Sequence, residues 1–138
     1  MADGHLADIP NDSVYSSAVS LQGLRILLFV SEHNGLEAWN TDVPSAYLEA
    51  FTSEKVCIIA GPEFGPLQGH LLIIIKALYG LTTSGVRWHE RLADVLRNEG
   101  FLPCKAEPDI WLRKNGTIYE YIGVYVDDLA MAMKAPQK

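Results

Sequence analysis

The sequence predicts an α+β fold, a mostly antiparallel sheet with helices packed on one face. Short β-branched runs at residues 55–60 and 71–76 are bounded by turn-forming segments, which is typical of strands. Asn115-Gly116 lies between two further strand-like runs and is a strong hairpin signal. Helical patterns are few and do not alternate one for one with the strands. Together these observations favour an antiparallel sheet over a doubly wound parallel one.

The predicted elements follow one another without internal repeats. The high density of apolar residues after Ser20 predicts a largely buried helix over 18–33, which Asn34-Gly35 ends. Trp88, Leu92, Val95 and Leu96 recur at helical spacing and predict an amphipathic helix that Gly100 ends. The other predicted elements are a strand over 36–43, a short turn or helix over 45–51, strands over 55–60 and 71–76, a loop over 61–69, a tight segment over 77–81, and strands over 109–113 and 118–127.

Length and composition indicate one globular domain. The chain has 138 residues, of which 49% are hydrophobic and 20% charged. We predict a flexible N-terminal lead over residues 1–12 and a single domain over 13–138. The lead is polar and acidic, unlike a secretory signal, and no apolar run is long enough for a bilayer, so we expect an intracellular protein without a membrane partner. Cys57 and Cys104 are expected to be reduced thiols.

Charge is distributed unevenly along the chain. The formal net charge is −6, which argues against a nucleic-acid binder that acts alone, because phosphate contacts need Lys and Arg. Residues 1–70 hold two basic residues against nine acids, and residues 71–138 hold nine against eight. Any surface that contacts nucleic acid is therefore expected in the second half of the chain or on partner domains.

An acidic pair, Asp127-Asp128, stands between two apolar runs. This pattern predicts a hairpin whose tip carries charge. Alternation along a strand that ends at Asp127 places Tyr125 and Asp127 on one face and Asp128 on the other. An ordinary turn explains the pair equally simply, because Asp favours turns.

A third carboxylate, Asp42, also ends a predicted strand. Carboxylates at adjoining strand ends make an oxygen-rich site for Mg²⁺ or Mn²⁺, and two such ions can act together in phosphoryl transfer. Taken alone, Asp42 is equally consistent with a solvated residue at a strand end. The residues therefore leave both interpretations of the three carboxylates open.

Four segments, in this order, resemble motifs of the reverse transcriptases of copia-type retrotransposons. Residues 42–48 (DVPSAYL) resemble the first catalytic motif, Asp-x-x-x-Ala-Phe/Tyr. Residues 76–81 (KALYGL), followed by Trp88, resemble the second. Residues 107–111 (EPDIW) resemble the segment ahead of the catalytic box, and residues 125–128 (YVDD) resemble the box itself. The resemblance covers nearly the whole chain.

The resemblance implies the palm of an RNA-directed DNA polymerase. By position, Asp42 and Asp127 would hold two Mg²⁺ or Mn²⁺ ions together with bound nucleotide, Asp128 would support them, and the Val43 carbonyl would join the nucleotide-side ion. Other positions with implied roles are Tyr47 as a steric gate against a 2′-hydroxyl, Gly80 at the nucleotide, and Tyr125, Leu81 and Thr82 near primer and template. Packed aromatic residues remain the alternative for Tyr47 and Tyr125.

The resemblance also implies partners: a template-primer, a deoxynucleotide, and the fingers, thumb, RNase H and integrase of a polyprotein. We expect the chain to lack the thumb, most of the fingers and RNase H, and therefore to have no activity alone. The implied location is the cytoplasm, a virus-like particle or the nucleus. Thr82 stands where relatives carry a basic residue, and Pro44-Ser45 is unusual after the first Asp. A catalytically silent, palm-like remnant that binds a partner at most is the alternative function.

Overall fold

The structure, a computed structural model, describes residues 16–134. The lead predicted over residues 1–12 lies outside the described residues. The described chain forms two compact units: residues 45–91 make up the ribbon unit, and residues 16–44 with 92–134 make up the sheet unit. None of the helices in residues 16–134 combines the length and the apolar character that crossing a membrane requires.

Residues 16–134 form two α-helices, seven strands and two short 3-10 segments. The helices are α1 (Leu21–His33) and α2 (Ser84–Asn98), and the 3-10 segments are Ala46–Glu49 and Pro62–Leu67. The strands are β1 (Glu37–Asp42), β2 (Cys57–Ile59), β3 (Leu71–Ile73), β4 (Leu102–Pro103), β5 (Ile110–Asn115), β6 (Ile118–Tyr125) and β7 (Asp128–Met133).

The sheet unit is built on five antiparallel strands in the order β1-β7-β6-β5-β4. The predicted α+β class with an antiparallel sheet is therefore confirmed. Central strand β6 carries Ile122 and Val124, which are 4% and 2% exposed. The two-residue edge strand β4 was not predicted. It ends with Pro103, a residue that sheets tolerate at an edge because it donates no ladder hydrogen bond.

Helix α1 begins where Ser20 caps it. The Ser20 hydroxyl accepts a hydrogen bond from the Gly23 amide at 3.0 Å, which explains why the helix starts later than predicted. Leu27, at 2% exposure, packs with Leu36 and Ala132 of the sheet unit. The expectation of a largely buried helix is wrong, because several of its apolar side chains are open to solvent, with Leu21, Leu28 and Phe29 at 65%, 50% and 70% exposure.

Helix α2 carries the predicted amphipathic stripe. Trp88, Leu92 and Leu96 are buried, whereas Val95 lies at the margin of the stripe. At its end, the Arg97 guanidinium lies over the Trp111 ring at 5.5 Å. Trp111 is paired with Ile122, so it belongs to the face of the sheet opposite the one on which α1 packs. The two helices therefore meet different faces, and the prediction that the helices pack on one face is wrong.

The ribbon unit contains a separate two-stranded antiparallel sheet, β2 and β3. Both strands are shorter than predicted, and an isolated bridge between Phe51 and Lys76 continues their pairing. The predicted loop over 61–69 contains one of the 3-10 segments. Ile59 and Ile73 are 75% and 71% exposed, so this ribbon buries little of its apolar surface.

Candidate active site

The acidic pair lies at the hairpin that joins β6 to β7. Tyr125 is paired with Asp128, and Val126-Asp127 forms the two-residue loop between them. The predicted hairpin with a charged tip is confirmed, although β6 ends two residues earlier than expected. Val126 has φ 58°, a left-handed conformation that costs an L-residue roughly 1–2 kcal/mol. The tip is therefore both acidic and strained.

The reversal at this tip changes which side chains share a face. Continuous alternation places Asp128 on the face opposite Tyr125, and this prediction is wrong. Because Tyr125 and Asp128 are directly paired across the hairpin, their side chains lie on the same face of the sheet. Asp127 belongs to the loop and not to the strand.

Strand β1 brings the third carboxylate to the same end of the sheet. Asp42 is directly paired with Asp128, so both carboxylates lie on one face with Cβ atoms separated by about 4.5–5.5 Å. One residue further, the Val43 amide donates a hydrogen bond to the Asp127 carbonyl at 2.9 Å. Residues that are far apart in sequence thus converge: Asp42, Val43, Asp127 and Asp128 meet at adjoining strand ends.

The three carboxylates at this end differ in their exposure to solvent. Asp42 and Asp128 are exposed, Asp127 is half-buried, and within residues 16–134 neither Asp42 nor Asp128 has a cationic partner. In the same part of the chain, no three His, Cys, Asp or Glu side chains converge into a complete metal site. Carboxylate oxygens are nevertheless the kind of ligand that Mg²⁺ takes in proteins, together with oxygens of water and substrate phosphates.

Tyr125 stands beside this carboxylate group and is 58% exposed, so it does not serve as core filler. A cavity of about 610 Å³ opens between α1 and the sheet, and Tyr125 and Asp128 are on its wall. Its floor includes Gly123 and Ala130, which are paired with each other and leave room under the helix. An apolar space therefore adjoins one of the three carboxylates.

The remaining predicted site residues belong to the ribbon unit. The half-buried Tyr47 ring lies 4.3 Å from the Tyr79 ring at an interplanar angle of 60°. Gly80 has φ 98°, which a residue with a side chain rarely adopts. Thr82 is half-buried and Leu81 is buried. Tyr47 therefore packs against Tyr79 without being fully buried, and both interpretations of it remain predictions.

Two features of these regions escaped the sequence analysis. The first is the left-handed conformation of Val126, which a two-residue hairpin loop could have suggested. The second is Glu54, whose Oε1 atom accepts hydrogen bonds from the Thr83 amide and hydroxyl at 2.6 and 2.8 Å. No local pattern signals that contact, because the two residues lie 29 positions apart.

The chain has relatives among known proteins. The family profile described as reverse transcriptase (RNA-dependent DNA polymerase) matches residues 3–137. A putative transposon Ty5-1 protein of Saccharomyces cerevisiae is 28% identical over 98 residues, which is 70% of this chain and 32% of that protein. The retrovirus-related Pol polyprotein from transposon TNT 1-94 of Nicotiana tabacum is 23% identical over 127 residues, which is 89% of this chain and 10% of the polyprotein.

The chain spans about a third of the first relative and a tenth of the second. No solved structure matches it. The profile match nevertheless covers almost every residue, and it agrees with the order of the motifs along the chain. The chain therefore belongs to the reverse transcriptase (RNA-dependent DNA polymerase) family, in the copia-type group found in transposon polyproteins.

Proposed function

We propose that this chain is the palm of an RNA-directed DNA polymerase that works within a transposon polyprotein. The reaction transfers a nucleotide from a deoxynucleoside triphosphate to a primer 3′-hydroxyl and releases pyrophosphate. The observation that carries the proposal is the direct pairing of Asp42 with Asp128 beside the Asp127 loop. Three carboxylates at one end of a sheet, exposed or half-buried, suit phosphoryl transfer better than they suit a stabilising role.

In this proposal Asp42 and Asp127 hold two divalent ions, Asp128 supports them, and the Val43 carbonyl faces the nucleotide side. When bound, the ions supply positive charge for the triphosphate and lower the pKa of the primer hydroxyl. The chain itself positions the carboxylates. The hydrogen bond from the Val43 amide to the Asp127 carbonyl fixes the loop against the end of β1, so the backbone that carries the carboxylates is held before substrate arrives.

The ribbon unit carries further residues to which the proposal gives roles. Tyr47 excludes a 2′-hydroxyl, and its contact with Tyr79 holds the ring that does so. Gly80 allows the backbone to approach the nucleotide, and Thr82 lies near the template with Leu81 beneath it. Tyr125, which is exposed on the sheet unit, contacts the primer end.

The partners in the proposal are a template-primer, deoxynucleotides and the other domains of the polyprotein. The net charge of −6 means that most of the phosphate-binding surface comes from those other domains. The relatives are consistent with this arrangement, because one of them is a Pol polyprotein of which the chain matches a tenth. Activity is accordingly expected from the polyprotein and not from the chain alone.

A Mn²⁺ titration followed by water-proton relaxation tests the carboxylate site directly. We expect the chain to bind Mn²⁺ weakly, with a dissociation constant on the order of millimolar, because protein-only sites for such ions are weak without substrate phosphates. Asp127→Asn and Asp42→Asn should each weaken binding. Asp94→Asn is the matched control, since Asp94 is an exposed carboxylate on α2. Identical curves for all four proteins would remove the metal-site proposal.

RNA-templated primer extension by the polyprotein that carries this chain tests the activity. Extension should be lost with Asp127→Asn and kept with Asp94→Asn. If the unsubstituted polyprotein extends no primer under conditions in which an active relative does, the polymerase proposal fails. The silent-remnant interpretation then replaces it.

A further inference from the structure

We propose that Glu54 is a positioning residue that holds the loop of residues 78–83, the clasped loop, in the form that binds nucleotide and template. This inference rests on the proposed polymerase function, because only that function gives the clasped loop a substrate. In this proposal Glu54 does not itself contact the nucleotide or the template. Its effect is exerted through Thr83.

The contact between Glu54 and Thr83 consists of two short hydrogen bonds. Glu54 Oε1 accepts the Thr83 amide at 2.6 Å and the Thr83 hydroxyl at 2.8 Å, and Thr83 is fully buried. Hydrogen bonds to a carboxylate are short and stronger than neutral ones. The Glu54 backbone is itself fixed, because its amide donates to the Thr52 hydroxyl at 3.1 Å. The carboxylate is therefore placed in advance.

Thr83 immediately precedes α2, and its carbonyl accepts the Arg87 amide at 3.1 Å in the first helical turn. In a capping box, a Glu three residues inside the helix satisfies the amide of the N-cap residue. Position 86, three residues after Thr83, is valine, so the helix has no local group for that amide. Glu54 supplies it from a distant segment, and its negative charge also suits a helix N-terminus.

The clasped loop is fastened at its other end to the same segment. The Ala77 amide donates to the Ala50 carbonyl at 3.0 Å, next to the Phe51–Lys76 bridge. Across the loop, the hydroxyl of Ser84, the first residue of α2, donates to the Leu78 carbonyl at 2.7 Å and accepts the Leu78 amide at 3.1 Å. Residues 50–54 thus hold both ends of a loop whose tip, Tyr79 and Gly80, is open to solvent.

The chemical consequence is specific to Glu54. Without its carboxylate, the buried Thr83 amide and hydroxyl lose their acceptor, while the Ala50–Ala77 connection and the Ser84–Leu78 hydrogen bonds remain. The clasped loop then loses its link to residues 50–54 at the Thr83 end, so Tyr79, Gly80 and Thr82 are held less firmly in one arrangement. Nucleotide binding then weakens more than the rate of the bound complex falls.

Hydrogen exchange of the chain tests the contact. Glu54→Ala should raise the exchange rate of the Thr83 amide about 10–100-fold, the loss expected for a hydrogen bond to a charged acceptor. The Ala77 amide serves as the internal reference and should exchange as before. Glu54→Gln keeps an acceptor oxygen and should restore part of the protection. Glu49→Ala removes a nearby exposed carboxylate and should change nothing. An unchanged Thr83 rate in Glu54→Ala overturns the inference.

Steady-state primer extension by the polyprotein tests the role in positioning. With Glu54→Ala, KM for the deoxynucleotide should rise about tenfold or more while kcat changes little, and Glu54→Gln should recover part of the loss. If KM is unchanged although Thr83 loses its protection, the positioning role is wrong and the proposed polymerase stands. If the unsubstituted polyprotein is inactive, the proposed polymerase and this role both fall, and the exchange result describes a structural contact only.

Discussion

The two hairpins at the ends of β6 have the same backbone design and different residues. In the first hairpin, Asn115 is paired with Ile118 around a two-residue loop whose Gly116 has φ 63°. In the second, Tyr125 is paired with Asp128 around a loop whose Val126 has φ 58°. Glycine adopts this conformation without a steric penalty, whereas valine is strained by about 1–2 kcal/mol.

The charged groups beside the two hairpins also differ, because they are paired at the first hairpin and repel each other at the second. At the first, the buried Glu120 carboxylate accepts hydrogen bonds from the Arg113 guanidinium at 2.8 and 3.0 Å and from the Asn115 amide group at 3.0 Å. At the second, Asp42 faces Asp128, like charge against like charge. The first hairpin is arranged for stability, and the second departs from stability where the proposed site lies, as functional sites do.

We expect the largest change in the free energy of unfolding from Arg113→Met, which removes the cation beside the first hairpin. This change leaves the Glu120 carboxylate buried without its cation, and Arg113 also lies over the Phe101 ring at 4.4 Å. We expect a loss of about 2–3 kcal/mol in the free energy of unfolding, below the range for fully buried pairs because about a third of the Arg113 side chain is exposed. Urea denaturation of the chain at neutral pH measures it.

Arg91→Met provides the control, because Arg91 is exposed on α2 and should contribute less than about 0.5 kcal/mol. Equal effects of the two substitutions would show that the Arg113–Glu120 pair adds nothing to stability. The two hairpins would then not differ in how their charged groups affect stability.

The pH dependence of stability gives a second measure of the same pair. Burial alone would raise the pKa of Glu120, but hydrogen bonds from Asn115 and Arg113 and the Arg113 charge outweigh it and hold the pKa below its usual 4.5. A carboxyl whose pKa is lowered on folding stabilises the protein above its unfolded pKa and loses that contribution as pH falls through the folded pKa. The stability difference between wild type and Arg113→Met should therefore shrink below about pH 4.5. A difference that stays constant down to pH 3 would contradict this assignment.

The two hairpins also show which features of the structure can be predicted from the sequence. The first hairpin was predictable because Asn115-Gly116 is a local signal, and the acidic tip was predictable because two carboxylates interrupt apolar runs. The pairing of Asp42 with Asp128 needed the order of the motifs, since periodicity within a strand does not reveal its neighbours. The contact of Glu54 with Thr83 has no local signal at all. The density of apolar residues in α1 predicted burial, but residues 16–134 cover only one of its sides.

Placing valine at position 116 and glycine at position 126 tests whether the two hairpins differ in backbone strain. Gly116→Val should destabilise the chain by about 1–2 kcal/mol, because it forces a β-branched residue into the left-handed region. Val126→Gly relieves the same strain, but glycine loses more entropy on folding, about 0.5–1 kcal/mol. We therefore expect a change of less than about 1 kcal/mol in Val126→Gly, in the stabilising direction.

Thermal unfolding of both variants compares them directly. Gly116→Ala serves as the milder control, since open space surrounds the position and only the backbone conformation opposes the new side chain. Equal losses in Gly116→Val and Val126→Gly would mean that Val126 gains more from its surroundings than its conformation costs.

The smallest effect is expected from Asp128→Asn. This substitution removes one of two like charges that face each other across β1 and β7, so it should stabilise the metal-free chain by about 0.2–1 kcal/mol. Both groups are exposed, so the gain should decrease as salt rises to about 1 M, where screening acts over about 3 Å. Asp94→Asn should change stability in the opposite direction, because Asp94 is paired with Arg97 at 3.1 Å. A substitution that raises stability while it weakens Mn²⁺ binding marks a residue kept for its charge. If Asp128→Asn destabilises the chain at low salt instead, the carboxylate is part of the structural framework and the two hairpins differ in conformation alone.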